Sequence, residues 1–71
     1  MRIGDKVIFT HGAMGMEGTV TSYLPTGLVE IHTEHGIMAD SPLNLICTHE
    51  ADPKLVTRLR ETYARNQEGM Q

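Results

Sequence analysis

Closely spaced turn signals are the feature that most restricts the fold of this chain. In the first 48 residues, glycine, proline and short polar stretches leave uninterrupted segments of only three to seven residues. Segments this short, rich in Val, Ile and Thr, are typical of β-strands and too short for amphipathic helices. We therefore predict five strands, at residues 6–10, 19–24, 28–34, 37–40 and 46–48.

Residues 28–34 show the strand pattern most clearly. Val29, Ile31 and Thr33 alternate with polar Glu30 and His32, so one face is buried and the other meets solvent. Tight turns at residues 25–27 and 35–36 precede and follow this strand. Residues 41–45 are expected to form one helical turn before the last strand. Five short strands joined in this way predict a small β-barrel.

The size of the chain limits its core. It has 71 residues, a single cysteine and three aromatic side chains, so it forms one small domain without an internal disulfide. The core must be built from Val, Ile, Leu and Met. The predicted fold class is mainly β, a five-stranded barrel with a C-terminal α-helix.

The helix follows a change in composition at residue 52. Asp52 is suited to cap a helix and Pro53 to begin one, and residues 54–66 contain no glycine or proline. Leu55, Leu59 and Tyr63 fall at helical spacing, and we expect this stripe to be buried. The predicted organisation is a barrel at 1–50, a helix at 52–66 and a flexible tail at 67–71.

A helix of this length needs a surface on which to dock. Three apolar side chains are predicted on the outer faces of their strands and could receive it: Ile8, Leu28 and Ile46. A second copy of the chain could receive it equally well, so a homodimer is one of two possibilities.

The segment Gly4-Asp5-Lys6-Val7, followed by Gly15-Met16-Glu17-Gly18-Thr19-Val20, resembles the start of SH3-like barrels of the KOW type. The resemblance covers roughly residues 4–47. It implies a close backbone approach at Gly18, and a role in binding RNA, ribosomes, peptides or other proteins. In the KOW loop an aromatic and a basic residue commonly contact nucleic acid, and here Ala13 and Met14 occupy those positions.

Charge argues against nucleic acid as the main partner. Residues 1–50 carry two basic and six acidic side chains, a net charge of −4 with histidines neutral, and residues 51–71 carry +1. Neutralisation of phosphates by Lys and Arg dominates nucleic-acid affinity. A KOW-like nucleic-acid- or ribosome-associated module is therefore the alternative, with Arg58 and Arg65 on one helix face as its contacts.

No complete catalytic or metal-binding pattern is present. The four histidines and Cys47 have neither CxxC nor helical HxxxH spacing, and Cys47 follows apolar Leu45 and Ile46, as an inert thiol would. Glu30 and Glu34 are expected to form a solvated acidic face. We predict no enzyme activity, cofactor or metal, although an oligomeric enzyme with a site between subunits remains a third class.

The most informative exposed candidates are the methionines of the glycine loop. Met14 and Met16 could make adaptable apolar contacts, or Met16 could instead close the open end of the barrel. Tyr23 could add an aromatic anchor or cover the end of its hairpin. The sequence predicts a non-catalytic protein-binding module, a small accessory or regulatory factor whose partner has a basic surface. The predicted partner-binding residues are His11, Met14, Met16, Tyr23 and His32.

No apolar run approaches the length of a membrane span, and Met1-Arg2 leads into Ile3-Gly4-Asp5 without a hydrophobic stretch. We therefore expect a cytoplasmic protein without membrane contact.

Overall fold

The computed structural model describes residues 1–69, with side-chain burial for residues 1–67. Five strands, one short 3-10 turn and one α-helix follow one another along the chain. Their bounds are β1 Lys6–Phe9, β2 Glu17–Tyr23, β3 Val29–Thr33, β4 Gly36–Asp40, the 3-10 turn Pro42–Asn44, β5 Leu45–Cys47 and α1 Pro53–Gly69.

All five strands belong to one antiparallel sheet in the order β4-β3-β2-β1-β5. The predicted mainly β class, strand number and C-terminal helix are confirmed. The sheet is not closed, because β4 and β5 are its two edges and no hydrogen-bonded ladder joins them within residues 1–69. The architecture is compatible with the predicted SH3-like fold, in the form of a sheet that is not closed by a ladder within the described residues.

One face of the sheet holds the main core. Its eight buried members come from β1, β2, β3, β5 and the residue before β2, and the largest of them is Phe9. Met38 of β4 and Tyr63 of α1 pack against this cluster from its margin. The eight core side chains are at most 6% exposed, yet the buried side chains of α1 lie mainly on the opposite face of the sheet. The helix therefore does not cover the core, and the sheet must curl around it.

The helix packs within the same chain, on the outer face of β1. Ile8 is fully buried against Val56 and Leu59, with Ile46 and Ala51 beside them. The alternation of β1 explains this division, because Val7 and Phe9 point into the main core while Ile8 points towards the helix.

Three details of the predicted docking need correction. Leu55 is 41% exposed and Val56 is buried in its place, while Tyr63 is only half-buried. Leu28, offered as a receiver for the helix, is 37% exposed, because it lies in the turn before β3. The helix also continues to Gly69 rather than ending at Asn66; of the predicted flexible tail at 67–71, residues 70 and 71 lie outside the described residues.

Close packing requires two glycines, Gly15 in the loop before β2 and Gly18 in β2 itself. A Cβ on Gly18 would overlap Ile31 Cγ2 of β3 and lie 2.8 Å from the His32 carbonyl oxygen, as the resemblance implied. Gly15 has φ +90° and faces the backbone of α1 at Leu59. The glycine loop therefore packs on the helix at Gly15, and the start of β2 packs closely on β3 at Gly18.

Within the described part of the chain, no helix is both long and apolar enough to cross a membrane.

Candidate functional site

An open groove of about 380 Å³ lies between the glycine loop, the second half of α1 and the hairpin that joins β3 to β4. Three methionines reach it, Met14 and Met16 from the glycine loop and Met38 from β4. We call it the methionine groove. Its lining is completed by Gly12, Ala13, His35, Tyr63, Asn66 and Gln67.

The three methionines occupy different depths. Met14, at the tip of the loop, is 39% exposed, whereas Met16 is 3% exposed and belongs to the main core. Met38 is half-buried and packs against that core. Met16 is therefore a core side chain and is not exposed. Met14 is the methionine most available to another molecule.

Hydrogen bonds define the rim of the groove. The Tyr63 hydroxyl donates to Glu34 Oε1 at 3.1 Å and lies 2.8 Å from His35 Nε2. The carboxylate can only accept, so the hydroxyl is the donor to Glu34, and its oxygen accepts from His35 in the tautomer that carries its proton on Nε2. Burial, and then the bond to Glu34, raise the pKa of Tyr63. Tyr63 thus ties α1 to the β3–β4 turn and fixes one wall of the groove.

Three of the predicted binding residues, His11, Tyr23 and His32, lie away from this groove. Tyr23 ends β2, six residues or about 20 Å of strand from Glu17, and its hydroxyl donates to the Met1 carbonyl oxygen. His11 is exposed beside Thr10, with His11 Nδ1 3.1 Å from Thr10 Oγ1, and does not line the groove. The Tyr23 hydroxyl holds the N-terminus beside the end of β2, while the side chain stays 50% exposed.

His32 belongs to a different surface, the polar outer face of the sheet. Register places Lys6 opposite Thr19 and Thr19 opposite His32, and Lys6 Nζ donates to Thr19 Oγ1 at 2.9 Å. His32 Nε2 lies 3.7 Å from Glu30 Oε1. A shallow depression of about 460 Å³ covers this face and is bounded by the ion pair between Arg60 and Glu17. Cations and carboxylates alternate here, so the surface has no dominant charge.

The remaining candidates for catalysis or metal binding are Cys47 and groups of His, Cys, Asp and Glu side chains. Cys47 is buried, its Sγ lies 3.6 Å from Asp5 Oδ2, and burial is the main cause that raises the pKa of its thiol. A thiol in this setting is a poor nucleophile. Among the described residues, no three His, Cys, Asp or Glu side chains are grouped so that they could hold a metal ion.

The arginines of the alternative prediction lie on the surface of α1. Arg58 and Arg65 are both exposed, and their separation of seven residues places them on one side of the helix, about two turns apart. Arg60, which the sequence interpretation did not single out, is instead held by Glu17, and this contact raises its pKa.

Sequence reasoning missed two long-range contacts of α1, one at the rim of the methionine groove and one beside the polar depression. Tyr63 meets Glu34 and His35 across 28 or 29 residues, and Arg60 meets Glu17 across 43. Neither pair leaves a local spacing signal. Tyr63 was predicted only as part of a buried stripe, and its polar end was not considered. A buried tyrosine usually finds a hydrogen-bond partner. This tendency is the one signal that could have indicated a polar contact for the Tyr63 hydroxyl.

Together these features define a small antiparallel β protein with a C-terminal helix and one methionine-lined groove. No family model matches the chain, and neither the search of curated proteins nor that of solved structures found a match.

Proposed function

We propose that this chain is a non-catalytic protein-binding module, a small accessory or regulatory factor that uses the methionine groove to bind an apolar segment of another protein. The observation that carries the proposal is the convergence of Met14, Met16 and Met38 with Tyr63 at one open surface. These side chains come from the glycine loop, the edge strand β4 and the helix.

Methionine suits such a role for a physical reason. Its side chain is unbranched and its thioether is polarizable, so it adapts to apolar surfaces of different shape. Flexible Met-rich surfaces are a recurring means of binding varied partners. Here the deeper Met16 and Met38 provide a packed floor, and Met14 at the loop tip provides the adaptable part.

Charge around the groove favours a partner with basic residues flanking its apolar contact. Glu34 contributes the carboxylate of the rim network. The whole chain carries a formal charge of −3 with histidines neutral. Complementary charge raises association rates and disfavours wrong partners more than it adds affinity. The expected ligand is therefore an apolar segment flanked by Lys or Arg.

The test compares two substitutions that add the same charge. Met14→Asp places a carboxylate at the mouth of the groove, and Leu43→Asp places one on a side chain that is 88% exposed outside it. Both should leave the melting temperature nearly unchanged, because neither side chain belongs to the core. Wild type and Leu43→Asp should capture the same protein from an extract of the native cell, identified by mass spectrometry, and Met14→Asp should lose it.

Methyl spectra give a direct measure of the site. With the methionine methyl groups labelled, the captured protein should shift the signals of Met14, Met16 and Met38 more than that of Met1, which lies outside the groove. Full capture by Met14→Asp, or shifts confined to Met1, would place the working surface elsewhere.

The alternative, a KOW-like nucleic-acid- or ribosome-associated module, is supported by the exposure of Arg58 and Arg65 on α1. Two cations are few for a phosphate-binding surface when the strands carry a negative charge. We therefore rank this function second.

A further inference from the structure

Strand β4 ends the sheet with one side unpaired. Among residues 1–69 it pairs only with β3, so its other side presents backbone N–H and C=O groups that no described strand bonds. Natural proteins usually protect such an edge with Lys, Pro or a bulge. The sequence of β4, Gly-Ile-Met-Ala-Asp, contains neither Lys nor Pro. Its register with β3 is uninterrupted, so this ladder has no bulge. Its Ile37 is 66% exposed.

The register identifies which backbone groups point outwards. Thr33 and Gly36 are partners across a two-residue turn, and partners in that position are hydrogen-bonded to each other. Hydrogen-bonded and non-hydrogen-bonded pairs alternate along an antiparallel ladder. Met38 and Asp40 therefore bond to β3, whereas Ile37 and Ala39 direct their N–H and C=O away from it.

We propose that β4 pairs antiparallel with β4 of a second copy of this chain, with Met38 opposite the partner's Met38. In this register Ile37 faces the partner's Ala39, and the symmetric pair forms on the other side of the axis. Each of these pairs exchanges two backbone hydrogen bonds, so every outward group of both residues is satisfied. The large Ile37 side chain also meets the small one of the partner's Ala39.

Charge is compatible with this self-pairing. Asp40 faces the partner's Gly36, and the two Asp40 residues are offset by four positions, about 14 Å along the strands. That distance exceeds the Debye length of about 8 Å at physiological ionic strength. The Asp40 carboxylate already accepts hydrogen bonds from the Ser41 backbone and from Asn44 Nδ2, at 2.7 and 2.9 Å.

A second copy is the occupant that the edge specifies by itself. The two outward residues form a self-complementary pair about the axis at Met38, so one sequence supplies both sides of the ladder. A strand of another protein would make the same hydrogen bonds, and would match these side chains only if it placed a small and a large residue at the same spacing. Because Met38 also lines the methionine groove, the dimer would hold two grooves close to its axis. This inference does not depend on what the groove binds.

The decisive variant is Ala39→Pro. Proline removes the outward N–H of residue 39 and leaves the ladder between β4 and β3 intact, since that N–H does not bond to β3. Ala39→Ser at the same position keeps the N–H and is the matched control. Sedimentation equilibrium from micromolar to millimolar concentration should show a reversible dimer for wild type and Ala39→Ser, and at least a tenfold weaker association for Ala39→Pro.

A wild-type chain that stays monomeric at millimolar concentration would overturn the proposal. Association of a folded Ala39→Pro as strong as that of wild type would also overturn it, and would point to another surface. If Ala39→Pro does not fold, Ile37→Lys is the deciding variant, because it places two like charges near the axis without altering the backbone. Weakened association of this variant supports the proposal, and undiminished association overturns it. In wild type, the amide hydrogens of Ile37 and Ala39 should exchange rapidly in dilute solution and become protected as the concentration rises, and exchange that is independent of concentration would contradict the pairing.

Discussion

Gly15 and Leu59 meet backbone to backbone. A Cβ on Gly15 would overlap the carbonyl oxygen of Leu59 and lie 2.7 Å from Tyr63 Cβ. Gly15 lies in the loop before β2, and Leu59 lies at the centre of the buried side of α1. This contact places the loop tip beside the helix and so creates the space that the methionine groove occupies.

Gly15→Ala should therefore destabilise the protein more than an ordinary glycine replacement. The φ of +90° alone costs an alanine about 1–2 kcal/mol, and the overlap with a backbone oxygen adds to this because neither backbone can move freely. We expect a loss of at least about 3 kcal/mol in the free energy of unfolding, measured by urea denaturation.

Gly12→Ala is the control for Gly15→Ala. Gly12 also has positive φ, at +66°, and no atom lies within 4 Å of its Cβ position. It should lose only the conformational cost, about 1–2 kcal/mol. Equal losses at the two positions would show that the contact with α1 contributes nothing.

Leu59→Ala should cost about 2–5 kcal/mol, because the side chain is buried between α1 and β1 and its removal leaves a cavity. Leu55→Ala, on the same helix but 41% exposed, should cost less than about 1 kcal/mol. Denaturant midpoints of the two variants measure the difference. Similar small losses would mean that α1 is not docked in solution.

Alkaline pH should lower stability. Burial raises the pKa of the Cys47 thiol above its ordinary value of 9.0, so the folded state keeps its proton when the unfolded state loses it. The stabilisation is complete below the unfolded pKa and is lost as the pH rises through the folded one. The melting temperature should fall above about pH 9.

Cys47→Ala tests the origin of this alkaline effect. The variant is less stable at neutral pH, but its melting temperature should fall less between pH 8 and 10 than that of wild type. Its remaining decrease belongs to Tyr63, whose pKa is also raised, by burial and by its bond to Glu34. An unchanged pH dependence would show that Cys47 titrates alike in both states.

Binding to RNA or DNA should be weak and should disappear near physiological salt, because residues 1–50 carry a net charge of −4 and few cations are available to release counterions. Fluorescence anisotropy with a labelled oligonucleotide at increasing salt measures this. Tight binding at physiological salt that is lost when Arg58 and Arg65 are both replaced by Ala would favour the nucleic-acid alternative. Replacing Arg60, which is held by Glu17, serves as the comparison.

The elements were predictable to within a few residues because their signals are local. Alternation identified β3, and the glycine and proline turns separated the strands. The composition change at Asp52-Pro53 located the start of α1. The side of α1 that is buried was only partly predictable, since Leu55, Val56 and Leu59 are all apolar and are neighbours on the helix surface. Which of them faces β1 depends on how the helix lies on the sheet.

The candidate site was predictable to a smaller extent. Met14 and Met16 were singled out from the loop, and both line the groove, Met16 as part of its buried floor. Met38 and Tyr63 were not connected with them, because they lie 22 or more residues further along the chain. Tyr23 and His32 carried suitable chemistry but lie elsewhere in the fold.

The sequence by itself determined the strands, the turns, the helix and the alternation that sends Val7 and Phe9 to one face of β1 and Ile8 to the other. These depend on residues within a few positions of each other, whose backbone preferences and side-chain periodicity act locally. The tertiary structure alone decided that the sheet stays open, that α1 docks on its own chain and that Gly15 lies against Leu59. Those outcomes depend on how elements far apart in sequence pack together. No local pattern records which surfaces will meet.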